Sequence, residues 1–332
     1  ESLRPGQSGA SVIASRNRLR LMGFMKRDST QTYDDNMKSA VEKFQAAHGL
    51  STDGIAGPAT MPEVNKSVQV RLQSVIVAME RERWFNRERG DRHILVNIPD
   101  FTVNIVDNNE VTFQTRSVVG ANEEDRPTVE FSDLMEYMVI NPSWYVPRSI
   151  ATMEFLPALQ IDSSSIPHIE VINKEGLLVD SANVNFSLFN AEDFPFTMRQ
   201  PPSKGNALGL VKFIFPNPYN IYLHDTPAKN LFSLDVRAFS HGCVRLADPF
   251  DFAYALLAKE VENPNEFFQE QLATGEEQHV YLKSPVPVHI IYRTAFTTTE
   301  GHTQYRRDIY GRDAQVWKAL AKAGVALRAV QG

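Results

Sequence analysis

Apolar residues in the first fifth of the chain recur at the spacing of an α-helix. One such series consists of Met37, Val41, Phe44 and Ala47. Asp34 can cap this helix, and Gly49 can end it, because glycine readily adopts the left-handed backbone of a helix C-terminus. A preceding helix is predicted over about residues 9–22, and a following one after Pro58, which suits a first helical turn. Residues 1–66 are therefore predicted to form a small three-helix module.

Two more helices with regular apolar spacing are predicted outside this module. The first runs from about residue 66 to 84, with an apolar stripe made of Val68, Leu72, Val75 and Met79. Arginine and acidic residues then alternate, which predicts a solvated helical linker over 67–92 rather than a basic binding site. The second helix lies near the C-terminus and is predicted to bury Val316, Leu320, Ala323 and Leu327.

At His93 the period of the apolar positions changes to two, which is typical of β-strands. The alternating positions are Ile94, Val96 and Ile98, followed by Phe101, Val103 and Ile105, and later strand-like runs are 137–140, 221–223 and 288–292. Between about 143 and 208 the strand pattern lapses in a stretch rich in Pro, Ser and Asn, with one predicted helix near 150–159. So long a segment within a compact domain is typical of a lid. The predicted fold class is α+β, with a strand-rich domain over 93–332.

The composition is that of a globular protein and narrows the range of partners. Of 332 residues, 42% are hydrophobic and 22% are charged, which is ordinary for a globular domain. The formal net charge of −6 gives no overall attraction to nucleic acid or to an anionic membrane. No apolar run approaches the roughly 18 residues that span a bilayer, so no transmembrane segment is predicted. The chain begins without a basic and apolar leader, which predicts that any signal peptide has already been removed.

The single cysteine stands in a motif that suits acyl transfer. The motif reads Ser240-His241-Gly242-Cys243-Val244-Arg245. A thiol attacks a carbonyl carbon as a thiolate, so a catalytic cysteine needs a base or an electropositive setting. It also needs hydrogen-bond donors for the oxyanion, which the backbone N–H groups of a tight glycine turn supply. One cysteine also excludes an intrachain disulfide and a metal site made of several cysteines.

Two histidines are candidates for the base that activates Cys243. His241 is two residues away on the same turn, whereas His224 ends a strand-like run and is separated from Ser240 by fifteen residues. A ring on the same tight turn is poorly placed to face the sulfur in line. A base from another strand, such as His224, is therefore plausible, and His241 stays an alternative.

The motif and the spacing to His224 together resemble the L,D-transpeptidase (YkuD) family. Flanking stretches resemble the lid-bearing Gram-negative branch of that family, namely 141–147, 199–209, 222–227, 287–295 and 308–310. In the N-terminal module, residues 40–45, 48–50 and 53–55, with Gly57 and Thr60, resemble a peptidoglycan-binding type 1 module. The resemblance implies a mixed β-sheet sandwich with helices and an inserted lid subdomain over about 143–208.

This resemblance implies a role for each residue of the site. Cys243 is the nucleophile, His224 the general base and acid, and His241 a residue that lines the site. The backbone carbonyl of Asp225 orients the His224 ring, and the N–H groups of Gly242 and Cys243 form the oxyanion hole. The residues assigned to substrate binding are Tyr222, Ser240, Arg245, Trp144 and Asn206. Of these, Trp144 is alternatively a core residue, and Asn206 a turn residue that closes the lid.

The implied reaction uses peptidoglycan stem peptides as both donor and acceptor. Cys243 forms an acyl-enzyme with a tetrapeptide stem and releases D-Ala, and the diaminopimelate amine of a second stem then attacks to give a 3–3 cross-link. No metal or organic cofactor is expected, carbapenems are expected to trap Cys243, and the substrate implies the periplasm. Water, or a lysine of an outer-membrane protein, are alternative acceptors.

Two alternatives belong to other functional classes. One is a non-catalytic protein that binds the cell wall, in which Cys243 is incidental; an intact motif together with His224 argues against it. The other is a zinc hydrolase that uses His224, His241 and Cys243. It is disfavoured because no acidic residue stands at ligand spacing.

Overall fold

The computed structural model describes residues 2–85, 88–123, 125–298 and 301–327. In residues 2–66, helices α1 (Ala10–Leu21), α2 (Asp35–Ala47) and α3 (Thr60–Val64) form the predicted module. The Asp34 carboxylate caps α2 by accepting the Met37 N–H, and Gly49 adopts a left-handed φ of 64° after the helix. The core of the module contains Val12, Leu19, Tyr33, Met37, Val41, Phe44 and Val64.

Helix α4 (Val68–Trp84) confirms the predicted helix but not the role of its apolar stripe. Val68 and Met79 are exposed, whereas Arg81 is buried. Arg81 forms ion pairs with Glu130 and Asp313, contacts that are remote in sequence. The buried face of the helix is therefore the one that carries this arginine, and periodicity alone could not identify it.

The strand-rich part of the chain is a closed sheet. Its strands are β1 (Arg92–Asn97), β2 (Thr102–Asp107), β3 (Glu110–Gly120), β4 (Phe131–Ile140), β9 (Val211–Ile214), β10 (Leu223–His224), β11 (Ala238–Ser240), β12 (Val244–Leu246) and β13 (Gln278–Ile291). Within the described residues their order is β11-β3-β12-β10-β9-β4-β13-β1-β2, and a further β2–β3 pairing closes the sheet into a barrel. The α+β fold class is confirmed.

The barrel is filled by apolar residues from its inward face and by two helices. These helices, α7 (Pro249–Leu257) and α8 (Pro264–Ala273), contribute Phe252 and Phe268 to the core. Other core residues are Ile94, Val96, Val103, Ile105, Met138, Phe213, Leu223, Val244 and Ile290. The strands predicted from Ile94 to Ile105 thus bury the alternating positions, as period-two patterning requires.

The insertion between β4 and β9 forms a small subdomain with its own core. It contains a helical segment, which begins as α5 (Arg148–Ile150), passes through a π-helical turn (Ala151–Phe155) and ends as α6 (Leu156–Ile161). Its described residues also contain β5 (Trp144–Tyr145), β6 (Glu170–Ile172), β7 (Leu178–Val179) and β8 (Thr197–Gln200), paired in the order β5-β8-β6-β7. The expectation that strands lapse here was wrong, because strands of two to four residues are too short to show a period.

The last helix, α9 (Arg312–Lys322), is also less buried than its pattern predicts. None of Val316, Leu320, Ala323 and Leu327 is buried, and Leu327 lies beyond the helix. The first turn is held by polar contacts instead: the Asp313 N–H donates to Asp308, and Arg312 pairs with Glu130. No helix among the described residues is long and apolar enough to cross a membrane.

A short hairpin, β14 (Ala295–Thr297) and β15 (Thr303–Tyr305), contacts the N-terminal module. The ring of His48 stacks between Phe44 and Tyr305, with centroid distances of 3.8 and 5.6 Å. Burial lowers the pKa of His48 to about 4. His48 is thus a buried structural histidine between the module and the hairpin.

Acidification is expected to destabilise the protein through His48. The folded pKa is about 4, whereas an unfolded histidine titrates near about 6.5. The unfolded chain therefore binds more protons between these values, and stability is lost as the pH falls through this window. We expect this residue to remove about 2 kcal/mol of unfolding free energy between pH 7 and pH 5. Urea unfolding of wild type and His48→Phe at both pH values measures this loss of unfolding free energy. An equal loss in the two proteins would contradict the prediction.

Candidate active site

The candidate catalytic residues lie at the ends of two neighbouring parallel strands: His224 ends β10, and Cys243 directly precedes β12. In the register of β10 and β12, His224 lies opposite Arg245, and the Val244 N–H donates to the Tyr222 carbonyl at 3.1 Å. Alternate residues of a strand face opposite sides of a sheet. Because Leu223 and Val244 point into the core, Tyr222, His224, Cys243 and Arg245 share the other face. The fold therefore brings together residues that sequence analysis assigned to one site.

His224 is held in one orientation and is almost fully buried. Its Nδ1 hydrogen-bonds to the carbonyl oxygen of Asp225, the partner that the family resemblance implies. A carbonyl oxygen only accepts, so Nδ1 carries the proton and Nε2 keeps its lone pair. Burial, followed by the nearby positive charge of Arg245, lowers the pKa of His224 to about 3. The backbone hydrogen bonds to Asp225 and Leu208 oppose this shift without offsetting it, so the ring is neutral at pH 7.

Cys243 is partly exposed on the turn that follows β11. Its Sγ donates to the Asn220 carbonyl at 3.5 Å. Burial raises the pKa of the Cys243 thiol to about 11, a rise that Tyr222 and Arg245 partly oppose. The thiol is protonated at neutral pH, so nucleophilic attack needs a base to remove its proton.

The backbone of the Cys243 turn is held by the Ser240 side chain. Its hydroxyl accepts the Gly242 N–H at 3.2 Å and donates to the Cys243 carbonyl. Both predictions for these two residues therefore need correction: the Gly242 N–H already has a partner, and Ser240 is buried as a brace of the turn. The Cys243 N–H makes no hydrogen bond to any described residue and is free for an oxyanion.

His241 faces the lid and not the sulfur. Its Nε2 lies 2.7 Å from Oε1 of Glu154, in the π-helical turn of the insertion, and this carboxylate also accepts from Arg126 at 3.0 Å. Sequence analysis missed Glu154 because 87 residues separate it from His241. The zinc arrangement is not formed, since it needs His241 to converge with His224 and Cys243. Among the described residues, no group of three His, Cys, Asp or Glu side chains is placed to hold a metal.

Two cations flank His224 across neighbouring strands. Lys212 of β9 lies opposite His224 on one side, and Arg245 of β12 lies opposite it on the other. The Lys212 Nζ donates to the Ser143 carbonyl at 3.3 Å. The Arg245 guanidinium makes no hydrogen bond or ion pair within the described ranges, and its Nε is buried. Lys212 was not found from sequence, because its place beside His224 follows from strand register.

Trp144 and Asn206 support the lid. Trp144 packs against the apolar cluster of the insertion, edge-on to Phe155 at 6.1 Å, which matches the core alternative for this residue. Asn206 has no exposed surface, and its amide donates to the carbonyls of Pro142, Gln200 and Pro201. It joins the two ends of the insertion, and its predicted role in substrate binding is replaced by this structural one.

Gly209 lies where the insertion meets the loop that carries Asp225. Its φ is +62°, and an added Cβ would stand 2.2 Å from Oδ2 of Asp225. That oxygen accepts the Leu210 N–H at 2.9 Å, so it cannot move freely. Gly209→Ala is expected to lower the unfolding free energy by about 2–4 kcal/mol, through backbone strain and this clash.

Urea denaturation measures this effect, and Gly205→Ala is the matched control. A Cβ at Gly205 would meet no atom within 4 Å, and we expect a change within about 0.5 kcal/mol. Equal stabilities of the two variants would show that the close approach at Gly209 is not a constraint.

Comparison with known proteins decides the family. The model described as "L,D-transpeptidase catalytic domain" matches residues 91–288, more than half of the chain. The chain belongs to the L,D-transpeptidase family. A second model, described as "Putative peptidoglycan binding domain", matches residues 8–62.

One relative of this L,D-transpeptidase family member comes from Haemophilus influenzae. It is named "Putative L,D-transpeptidase" and is 32% identical over 225 residues, which are 67% of this chain and 45% of that protein. The chain thus spans less than half the length of that relative.

Solved L,D-transpeptidase structures are more distant. One from Stackebrandtia nassauensis is 13% identical, with a TM-score of 0.33, over 87% of this chain and 94% of that chain. L,D-transpeptidase 3 from Mycobacterium tuberculosis is 13% identical, with a TM-score of 0.28, over 60% of this chain and 61% of that one. The LD transpeptidase LdtMt1, in complex with imipenem, is 13% identical, with a TM-score of 0.27, over 60% of this chain and 59% of that chain.

Proposed function

We propose that this protein is an L,D-transpeptidase that forms 3–3 cross-links in peptidoglycan through a thioester on Cys243. The observation that carries the proposal is the neutral His224, whose Nδ1–H is bonded to the Asp225 carbonyl, on the strand that pairs with the strand following Cys243. A thiol that is protonated at rest needs a base. The neutral imidazole of His224 accepts its proton as the carbon–sulfur bond forms, because the resting pKa values of His224 and Cys243 do not favour transfer before attack.

The first half-reaction transfers the donor stem to the enzyme. The Cys243 sulfur attacks the carbonyl carbon of the third stem residue, and His224 Nε2 takes the thiol proton. The Cys243 N–H stabilises the oxyanion. The bond to D-Ala breaks as the imidazolium returns the proton to the leaving amine, and a thioester remains.

The second half-reaction transfers the acyl group to the acceptor stem. The side-chain amine of a diaminopimelate residue attacks the thioester, and His224 takes a proton from that amine. The carbon–sulfur bond breaks, and the thiolate is protonated by the imidazolium. Water in place of the amine gives a tripeptide, and a lysine of an outer-membrane protein gives a protein attached to the wall.

Arg245 is proposed to bind a carboxylate of the stem peptides. A half-buried cation without a partner is unfavourable, and a substrate carboxylate satisfies it. Lys212 lies beside His224 on the opposite neighbouring strand and adds a second positive charge to this part of the sheet. Stem peptides carry free carboxylates, which these two cations can bind. The proposed location is the periplasm, where such stems occur.

Incubation with a disaccharide-tetrapeptide, followed by liquid chromatography and mass spectrometry, tests the proposal. We expect a cross-linked dimer and free D-Ala, and neither product with Cys243→Ala. A tripeptide without dimer would replace transpeptidation by hydrolysis. Absence of both products, with no acyl-enzyme, would leave a non-catalytic wall-binding protein and overturn the proposal.

A further inference from the structure

The peptide unit that joins Gly242 to Cys243 is hydrogen-bonded through its carbonyl oxygen to a buried threonine, Thr128. We infer that Thr128 is a positioning residue, which holds this peptide unit so that the Cys243 N–H points at the substrate oxyanion. The inference rests on the proposed function. It adds a residue that lies more than a hundred positions from the catalytic motif and that its sequence pattern does not include.

The direction of the Thr128 hydrogen bond follows from its two partners. Thr128 is fully buried, and its Oγ1 lies 2.8 Å from the Gly120 nitrogen and 2.8 Å from the Gly242 carbonyl oxygen. The Gly120 N–H can only donate, and a hydroxyl has a single hydrogen of its own. The hydroxyl must therefore accept from Gly120 and donate to the Gly242 carbonyl.

An anchored carbonyl fixes the N–H at the other end of the same peptide. In a planar trans peptide the C=O and N–H bonds point in opposite directions. Thr128 holds the Gly242 carbonyl on the inner side, so the Cys243 N–H is directed away from it. Gly242 has a φ of 111°, and a glycine at this position leaves the peptide free to rotate without such an anchor.

Thr128 is itself held on both sides. Its N–H donates to the Tyr310 hydroxyl at 3.3 Å, and its carbonyl accepts from Arg312 at 2.8 Å. The Tyr310 hydroxyl donates to the Gly120 carbonyl. Gly120 packs closely against this segment, since a Cβ there would stand 2.0 Å from the Arg126 carbonyl oxygen and 2.6 Å from the Thr128 nitrogen. The anchor is thus part of a closely packed segment and can fix a peptide against rotation.

Thr128→Val tests the inference, because valine keeps the branched shape and removes the hydroxyl. We expect the second-order rate of acylation by a carbapenem to fall 10- to 100-fold. Alkylation of Cys243 by iodoacetamide forms no oxyanion, so its rate should stay within about two-fold. Thr128→Ser restores the hydroxyl and should recover acylation to within about three-fold.

Thr115→Val is the matched control. Thr115 is a buried threonine on β3 whose hydroxyl also accepts a backbone N–H, that of Asp248, and donates to an oxygen of the same residue. Loss of the Thr115 hydroxyl should lower the stability of the protein without changing the rate of acylation. Tyr310→Phe, which loosens the anchor without altering Thr128, is a second variant and should lower acylation by a smaller factor, with alkylation unchanged.

The outcomes separate this inference from the proposed function. Wild-type rates of acylation in both Thr128→Val and Tyr310→Phe would overturn the inference. A parallel loss of acylation and alkylation, or no recovery in Thr128→Ser, would also overturn it and leave Thr128 a general support of the fold. If Thr128→Val does not fold, Tyr310→Phe decides alone. A wild-type protein that forms no acyl-enzyme would refute the proposed function instead.

Discussion

Replacement of Cys243 with alanine is expected to abolish turnover of a tetrapeptide stem, with a loss of at least about 10⁴-fold. The thiol is the attacking group, and no other cysteine exists in the chain to replace it. The Cys243 thiol bonds weakly to the Asn220 carbonyl and also interacts with Tyr222, but it is a small group, so its loss should leave the fold intact. The effect is measured as the rate of D-Ala release, which is monitored by chromatography.

Thermal unfolding provides the control for Cys243→Ala. We expect the variant to unfold within a few degrees of wild type, because truncation of a partly exposed side chain leaves no large cavity. Turnover within about ten-fold of wild type would show that the chemistry lies elsewhere.

Replacement of His224 with glutamine is expected to lower the rate of acylation by about 10²- to 10⁴-fold. The substitution removes the imidazole base, because a side-chain amide does not take up a proton near neutral pH. His241→Gln is the matched control and should lower the rate by less than about ten-fold, because that ring contacts Glu154. A larger loss in His241→Gln than in His224→Gln would reassign the base.

The pH dependence of the His224 variant gives a second check. Without the base, only the thiolate fraction of Cys243 reacts, and burial raises the pKa of that thiol to about 11. The acylation rate of His224→Gln should therefore rise about ten-fold per pH unit between pH 7 and pH 10. A plateau below pH 9 would indicate a thiol that is far less buried.

Local signals predicted the parts of the fold that depend on neighbouring residues. Asp34 caps α2 and Gly49 ends it, because these contacts lie within one helix turn. The site could be expected from a motif and one spacing, since β10, which ends at His224, pairs with β12, which follows Cys243. The orientation of the His224 ring also depends only on the next residue.

Features that arise from distant contacts were missed. The buried face of α4 follows from Arg81 and its partners Glu130 and Asp313, which no local period encodes. Lys212 and Thr128 reach the site through strand register and packing. The partner of the Gly242 N–H is a side chain, and the choice between a free and a bonded N–H depends on its rotamer. Sequence patterns carry no information on these points.

The contact between Glu154 and His241 joins the lid to the catalytic turn. The Glu154 carboxylate also pairs with Arg126, so one side chain connects the insertion, the β3–β4 loop and the turn of Cys243. A side chain that connects three segments distant in sequence can be identified only from the folded structure. The contact with Glu154 explains why His241, although two residues from Cys243, faces the insertion.

The central claim is that Cys243 forms a covalent acyl-enzyme. Intact mass spectrometry of the purified protein after incubation with a carbapenem, followed by peptide mapping, tests it most directly. We predict a single adduct on the peptide that contains Cys243, complete in wild type and absent in Cys243→Ala. No adduct in wild type, or an adduct that persists in Cys243→Ala, would contradict the claim.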